Sequence, residues 1–402
     1  MRSSPLLLAA ALVLSGEPSA SAPFTVVTIS DAPAGSVAVV DIDRDGRLDI
    51  VSGNVWYHAP HWTPYRFRDL PVEDGRVDSH SLLPLDVDED GWVDLIDLAR
   101  SGRRITWWRN PGRAWGPSQW VDRTIHACCP VELAVLADID GDGHARELVV
   151  HEPSQGLAWY KVRKGFWTRH SISTRDVGSG LGVGDLNGDG RIDVLTAVGW
   201  FEAPVDPRSS EWPLHEAWGA AVGPVDMVRH TAGDDLRLGL LHLTDIDGNG
   251  LPDVLAGGTG RGAVWFEQRH DGWIRHRLAG GDPPARGSLV ADLDGDGHPE
   301  LVAVSTAADG RSRLQGQPAA RVVSYRRNAG AEADGAGERP AWDSRVLAAI
   351  DHLSPAPELI AVDLDDDGDV DLVGAGPSGV FWLRNDSAGN PDTGGPMMAP
   401  YH

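Results

Sequence analysis

Clustered aspartates are the residues of this chain best placed to do chemistry. The pattern D-x-[DN]-x-[DN]-G-x-x-[DE] recurs seven times. The first copy is Asp41, Asp43, Asp45, Gly46 and Asp49, and the second is Asp86, Asp88, Asp90, Gly91 and Asp94. The third is Asp138, Asp140, Asp142 and Gly143, with Glu147 one residue late because Ala145-Arg146 intervenes. The fourth is Asp185, Asn187, Asp189, Gly190 and Asp193, and the fifth is Asp245, Asp247, Asn249, Gly250 and Asp253. The sixth is Asp292, Asp294, Asp296, Gly297 and Glu300, and the seventh is Asp363, Asp365, Asp367, Gly368 and Asp371. Acids at positions 1, 3, 5 and 9 of a tight loop can converge on one hard cation, and a carbonyl at position 7 can add an oxygen. Glycine at position 6 permits the sharp turn. Without a cation, three or four close carboxylates repel one another. The expected cofactor is calcium, up to seven ions.

A helical calcium loop shares the first six positions but needs Glu at position 12. Here position 12 is Ser52, Asp97, Val149, Thr196, Ala256, Ala303 and Gly374. Only Asp97 is acidic, and the flanks are not helical. Each loop follows a short apolar run such as Val37-Ala38-Val39-Val40 and precedes another such as Asp193-Val194-Leu195. These runs read as buried strands. A third element carries paired aromatics: Trp56-Tyr57, Trp107-Trp108, Trp159-Tyr160, Trp200-Phe201 and Trp265-Phe266, with Ser324-Tyr325 and Trp382-Leu383 in the last two units. A fourth begins with an aromatic and has Ile or Leu five residues on, as in Trp167/Ile172 and Trp273/Leu278. Trp212 opens it in the fourth unit, where Ala217 replaces the aliphatic residue.

Four strands repeated seven times predict an all-β chain, a seven-bladed β-propeller of four-stranded blades. Phe24 to Ile29 matches the fourth-strand pattern yet precedes the first loop, while the chain after the seventh loop supplies only two further strands. The N-terminal strand is therefore expected to join the seventh blade and close the ring. Insertions fall at Ala203 to Leu238, Ser305 to Ala320 and Asn328 to Ala341.

The loops Asp41-Ile42-Asp43-Arg44-Asp45-Gly46 and Asp185-Leu186-Asn187-Gly188-Asp189-Gly190, with their flanks, resemble FG-GAP/VCBS-type repeats. The resemblance spans about Phe24 to Asn385. It implies calcium-binding blades like those of integrin α-subunit heads and many secreted bacterial proteins. Some lyases and a sugar dehydratase also use such propellers, so the resemblance speaks to fold and metal rather than to function.

The chain has 402 residues and a formal net charge of −24, which disfavours nucleic acid and anionic membranes as partners. Residues 1–22 read as an export signal: Arg2, an apolar run from Leu6 to Leu14, then Ser19-Ala20-Ser21-Ala22. The expected location is secreted or periplasmic, with residues 23–385 as propeller and a polar, Gly/Pro-rich, disordered tail over 386–402. No later run is long enough to span a bilayer. The two cysteines, Cys128 and Cys129, are adjacent and cannot staple distant elements.

Function is expected on the face opposite the Asp loops, among the connections around the channel. Asp78, His80, Glu132, Arg286 and Glu358 precede first strands there, and His151, Glu152 and Arg261 follow second strands. The leading expectation is a binding or interaction module for a polysaccharide or protein. The alternative is a polysaccharide lyase or sugar dehydratase, in which His80, Glu132, His151 and Arg286 are the candidate catalytic residues. His170, His215 and His276 share one fourth-strand position with Arg68, Arg123 and Arg345, which marks it as structural.

Overall fold

The computed structural model describes residues 24–73, 76–99, 104–114, 120–126, 131, 133–152, 155–175, 177–178, 180–209, 211–218, 238–258, 263–278, 285–306, 320–327, 342–350 and 358–387. Residues 1–23, where an export signal is expected, Cys128, Cys129, most of the three insertions and residues 388–402 lie outside the described residues. Seven antiparallel four-stranded sheets account for almost all the strands. Within six of them the strands pair in chain order, so each is a meander with the Asp loop between its first and second strands. The chain is all-β, and among the described residues no helix is long and apolar enough to cross a membrane.

The seventh sheet is assembled from both ends of the chain. Glu358–Val362, Asp371–Gly376 and Gly379–Asn385 supply three strands, and Phe24–Ser30 supplies the outer one. Phe24 pairs with Asn385 and Thr28 with Phe381, with a register shift before Ser30. Asp386, first residue of the expected tail, accepts a hydrogen bond from the Thr25 hydroxyl and another from Arg384 Nε at 2.8 Å. The N-terminal strand thus closes the ring as its pattern predicts.

Packing follows the same ring. Each inner strand is apolar on both faces; Asp49–Ser52 and Asp94–Leu98 are buried at every position. Seven hydrophobic clusters result, and each is shared by two adjacent blades. Ile42, Val51 and Trp56 of blade 1 pack with Leu82, Leu95 and Trp108 of blade 2. The last cluster joins Val37, Ile50 and Tyr57 of blade 1 to Val373, Val380 and Trp382 of blade 7. Phe24 packs between blades 6 and 7, against residues that include Val304, Leu347 and Leu383. A sheet apolar on both sides has no stable alternative to a neighbour on each side.

Phe24→Ala removes a buried aromatic from the closing strand, and it is expected to cost about 3 kcal/mol. Chemical denaturation of the two proteins measures this; equal midpoints would show that the N-terminal strand does not hold the ring closed.

Candidate metal loops and the opposite face

Each Asp loop is folded by its own carboxylates. The position-1 aspartate takes two backbone N–H groups: Asp41 Oδ1 accepts from Asp45 at 3.1 Å and Oδ2 from Gly46 at 3.0 Å. The same pair recurs at Asp86, Asp138, Asp185, Asp245, Asp292 and Asp363. The position-6 glycines all have φ between 82° and 92°, a region closed to most side chains. Position 4 is left-handed too, a feature the motif does not show. Glycine fills it in four loops, but Arg44, Glu89 and Asp366 adopt φ of 60–62° there.

The position-9 acid ties the loop to the rest of its blade. Asp49 Oδ2 accepts from the position-2 N–H of Ile42 at 3.2 Å, and Oδ1 accepts from Ala59, just past the third strand, at 2.8 Å. Asp94, Asp193, Asp253 and Asp371 repeat both bonds. Glu147, displaced by one residue, reaches the same place through its longer side chain and accepts from Ile139 at 3.1 Å. The extra residue in the third loop is thereby absorbed. All seven position-9 acids are at most 4% exposed. Burial pushes their pKa values up, to about 6 for Asp49, Asp193 and Asp371 and to about 7 for Asp94, Glu147, Asp253 and Glu300. The backbone N–H groups pull the other way and do not win.

In blades 1, 2, 3 and 5 one oxygen each from positions 1, 3 and 9 lies within 4.8 Å of the others. Asp88 Oδ1 and Asp140 Oδ1 are buried and have no hydrogen-bond partner. A carboxylate oxygen accepts more than one partner, so the oxygens already bonded to N–H groups keep spare capacity. The donor set is all oxygen, which suits a hard divalent cation of calcium's size. Residues at the end of the third strand add charge beside the loops. His58 Nε2 lies 3.1 Å from Asp43, and Arg109 lies 2.5 Å from Asp88 and 2.7 Å from Asp90. Lys161 pairs with Asp140, and Arg326 with Asp294 and Asp296. In blades 4 and 5, whose loops carry an Asn, the same position is Glu202 or Glu267.

On the opposite face the proposed catalytic residues are dispersed over several blades. His80 is exposed ahead of the first strand of blade 2, whereas His151 is 2% exposed on the second strand of blade 3. Glu132 and Arg261 lie outside the described residues, as do the side chains of Arg286 and Glu358. Two polar clusters that the motifs do not announce are found there instead. Arg68 and Asp97 form a buried ion pair at 3.4 Å between blades 1 and 2, with the Ser79 hydroxyl donating to Asp97. Between blades 2 and 3, Tyr160 shares a 2.8 Å hydrogen bond with His126 Nδ1 and donates to Glu152 at 3.3 Å. Arg169 holds the other oxygen of Glu152 at 2.6 Å. Of the tryptophans outside the repeat, Trp218 is fully buried beside Phe266, Trp62 packs edge-on to Trp382, and Trp92 lies under Arg44. Trp115 lies outside the described residues.

A family model described as an FG-GAP-like repeat matches residues 138–196 and 245–303. No curated protein matches the chain. Among solved structures, the exotype rhamnogalacturonan lyase YesX is 12% identical, with a TM-score of 0.48, over 90% of this chain and 73% of its own. A Bacillus licheniformis rhamnogalacturonan lyase is 13% identical, with a TM-score of 0.45, over 90% and 72%. The V. cholerae biofilm matrix protein Bap1 is 14% identical, with a TM-score of 0.40, over 89% and 60%.

The raised position-9 pKa values set a pH dependence. Between about pH 4, the unfolded value, and about pH 7, the folded chain holds more protons than the unfolded one. Stability of the metal-free protein is therefore expected to fall as pH rises through that window. Denaturant midpoints at about pH 4 and about pH 8 in metal-free buffer test this. A midpoint that rises with pH would contradict it.

Proposed function

We propose, with a seven-bladed propeller carrying FG-GAP-like repeats as the premise, that this protein is an exported, calcium-stabilised module that binds a polysaccharide or another protein. The observation that carries the calcium reading is the seven-fold recurrence of one loop whose acids are gathered and partly buried by the fold. Asp41, Asp43, Asp45 and Asp49, and their counterparts in the other six loops, would hold the ion. Bound calcium would neutralise carboxylates that burial otherwise leaves costly to ionise. Seven such ions would move the net charge from −24 to −10. The position-9 acid already joins its loop to the third strand, so a cation there stiffens the whole blade end. Export accords with this, because extracellular calcium saturates sites with Kd near ~0.1–1 mM. The leader-like residues 1–22 support the same location.

A second reading, proton abstraction from an acidic sugar by a lyase or dehydratase, is favoured by the cluster of His126, Tyr160, Glu152 and Arg169. It unites an imidazole, a phenol, a carboxylate and a guanidinium on the expected face. Tyr160 is only 3% exposed, and burial raises its pKa; His126, joined to Tyr160 through Nδ1 and 3.4 Å from Glu152 through Nε2, would be the base of this reading. Arg169 is held by Glu152 and is the group that would face a sugar carboxylate.

One measurement tests the calcium, and a second separates the two readings. Chelation with EGTA is expected to lower Tm by about 10 °C or more, since metal binding is coupled to folding; an unchanged melt would remove calcium from the account. Incubation with a panel of acidic polysaccharides, followed by ultraviolet absorbance of unsaturated products, tests catalysis. The binding module predicts no rise. A rise abolished by His126→Ala would establish the enzyme instead.

A further inference from the structure

We infer that the outer junction of blades 4 and 5 is a binding groove for a neutral oligosaccharide. This rests on the binding-module reading above and gives it a site and a ligand class. The groove encloses about 520 Å³, and its walls include Trp200, His215, Glu216, Ala217, Gln268 and Trp273. It opens beside the fifth Asp loop, away from the channel mouth on the far face.

The local sequence explains why a groove exists here. The outer strand of blade 4 is only Leu214–His215, whereas that of blade 3 is Phe166–Ser173 and that of blade 6 is Trp342–Ile350. Its pattern also breaks at Ala217, where other blades place Ile or Leu. Meanwhile the inner strands of blades 4 and 5 approach closely. A Cβ on Gly182 would come within 2.4 Å of the Leu241 carbonyl oxygen. The blades therefore meet tightly at the channel, while among the described residues the short outer strand and Ala217 leave the rim open.

Gln268 differs from its counterparts. At the same position in blades 2 and 7, Asn110 and Asn385 donate to the preceding blade, to Ile42 O at 3.1 Å and Leu293 O at 2.8 Å. Arg327 of blade 6 likewise reaches Ile246 O. The Gln268 amide oxygen is buried and has no partner. Its backbone is fixed, because Asp253 accepts from its N–H at 2.7 Å and Asn249 donates to its carbonyl at 3.0 Å. Gln268 lines the groove, and a turn of its side-chain amide would present this unpaired acceptor to a ligand hydroxyl.

The walls suit a sugar ring. His215 makes on Trp200, at 4.3 Å, the structural stack that His170 and His276 make on Trp159 and Trp265, but it is exposed where they are half-buried, and half-buried Trp273 stands edge-on to Trp218 at 5.1 Å. Such faces take the C–H face of a pyranose, while Gln268 and Glu216 accept its hydroxyls. The described lining holds Glu216 and no Arg or Lys, and the nearby Glu202 is paired with His215 at 2.8 Å and Arg191 at 3.8 Å. Arg175 is already engaged by Glu216 at 3.3 Å. A uronic acid would find no Arg or Lys on the described walls to pair with, so the ligand is uncharged.

The test uses the calcium-loaded full chain with cellohexaose, xylohexaose, mannohexaose and laminarihexaose as neutral probes and polygalacturonate as the acidic one. Calorimetry and tryptophan fluorescence report binding, and far-UV circular dichroism and Tm report folding. At least one neutral probe is expected to bind. Gln268→Met, which keeps the length and removes the acceptor, and His215→Ala are each expected to weaken it by on the order of tenfold. His170→Ala, the same change on blade 3, is expected to leave affinity unaltered. Binding of any probe that survives both groove substitutions overturns the groove and leaves the binding-module reading standing. Binding of polygalacturonate alone overturns the neutral-ligand assignment. No binding to any probe, by a chain whose Tm still rises with calcium, overturns the groove together with its glycan reading.

Discussion

The ring depends on a sheet that is apolar on both faces. A four-stranded blade of this kind cannot stand alone or in a pair without leaving one face in water. Every blade here shares one cluster with the blade before it and another with the blade after it. Such a chain of shared cores is satisfied only when it closes. Closure falls to Phe24–Ser30, which brings the start of the chain to its last strand.

The Asp loops solve a second problem, the turn between first and second strands at the ends of seven wedges. Their carboxylates act first on backbone N–H groups: position 1 folds the loop, and position 9 fastens it to the third strand. This places the position-9 acid inside the protein, where ionisation is penalised. The proposed calcium is the natural counterweight, because a divalent cation favours the charged form that burial opposes. Third-strand cations such as Arg109 and Arg326 pair instead with the position-3 and position-5 carboxylates of their loops.

Repetition also makes departures informative. A position that clamps adjacent blades through Asn110 or Asn385 carries an unpaired amide oxygen at Gln268. An outer strand of eight or nine residues in blades 3 and 6 is two residues in blade 4. Both departures meet at one junction, and a rim groove lies there among the described residues. Function on such a scaffold is written in the exceptions to the repeat, on whichever face they fall.

The amino-acid sequence alone determined the number of blades, the strand order, the place of each Asp loop and the closing role of Phe24 to Ile29. These follow from local periodicity and spacing, which the chain carries in every unit. Tertiary structure decided what spacing does not encode. The left-handed backbone at Arg44, Glu89 and Asp366 follows from loop closure and not from residue type. His126 meets Tyr160 and Glu152 only because blades 2 and 3 are neighbours. Trp200 and Gln268 share a groove only because the curvature of the ring sets how close their blades come at the rim. Contacts between blades depend on the angle between sheets and on side-chain rotamers, and neither is legible in a repeat pattern.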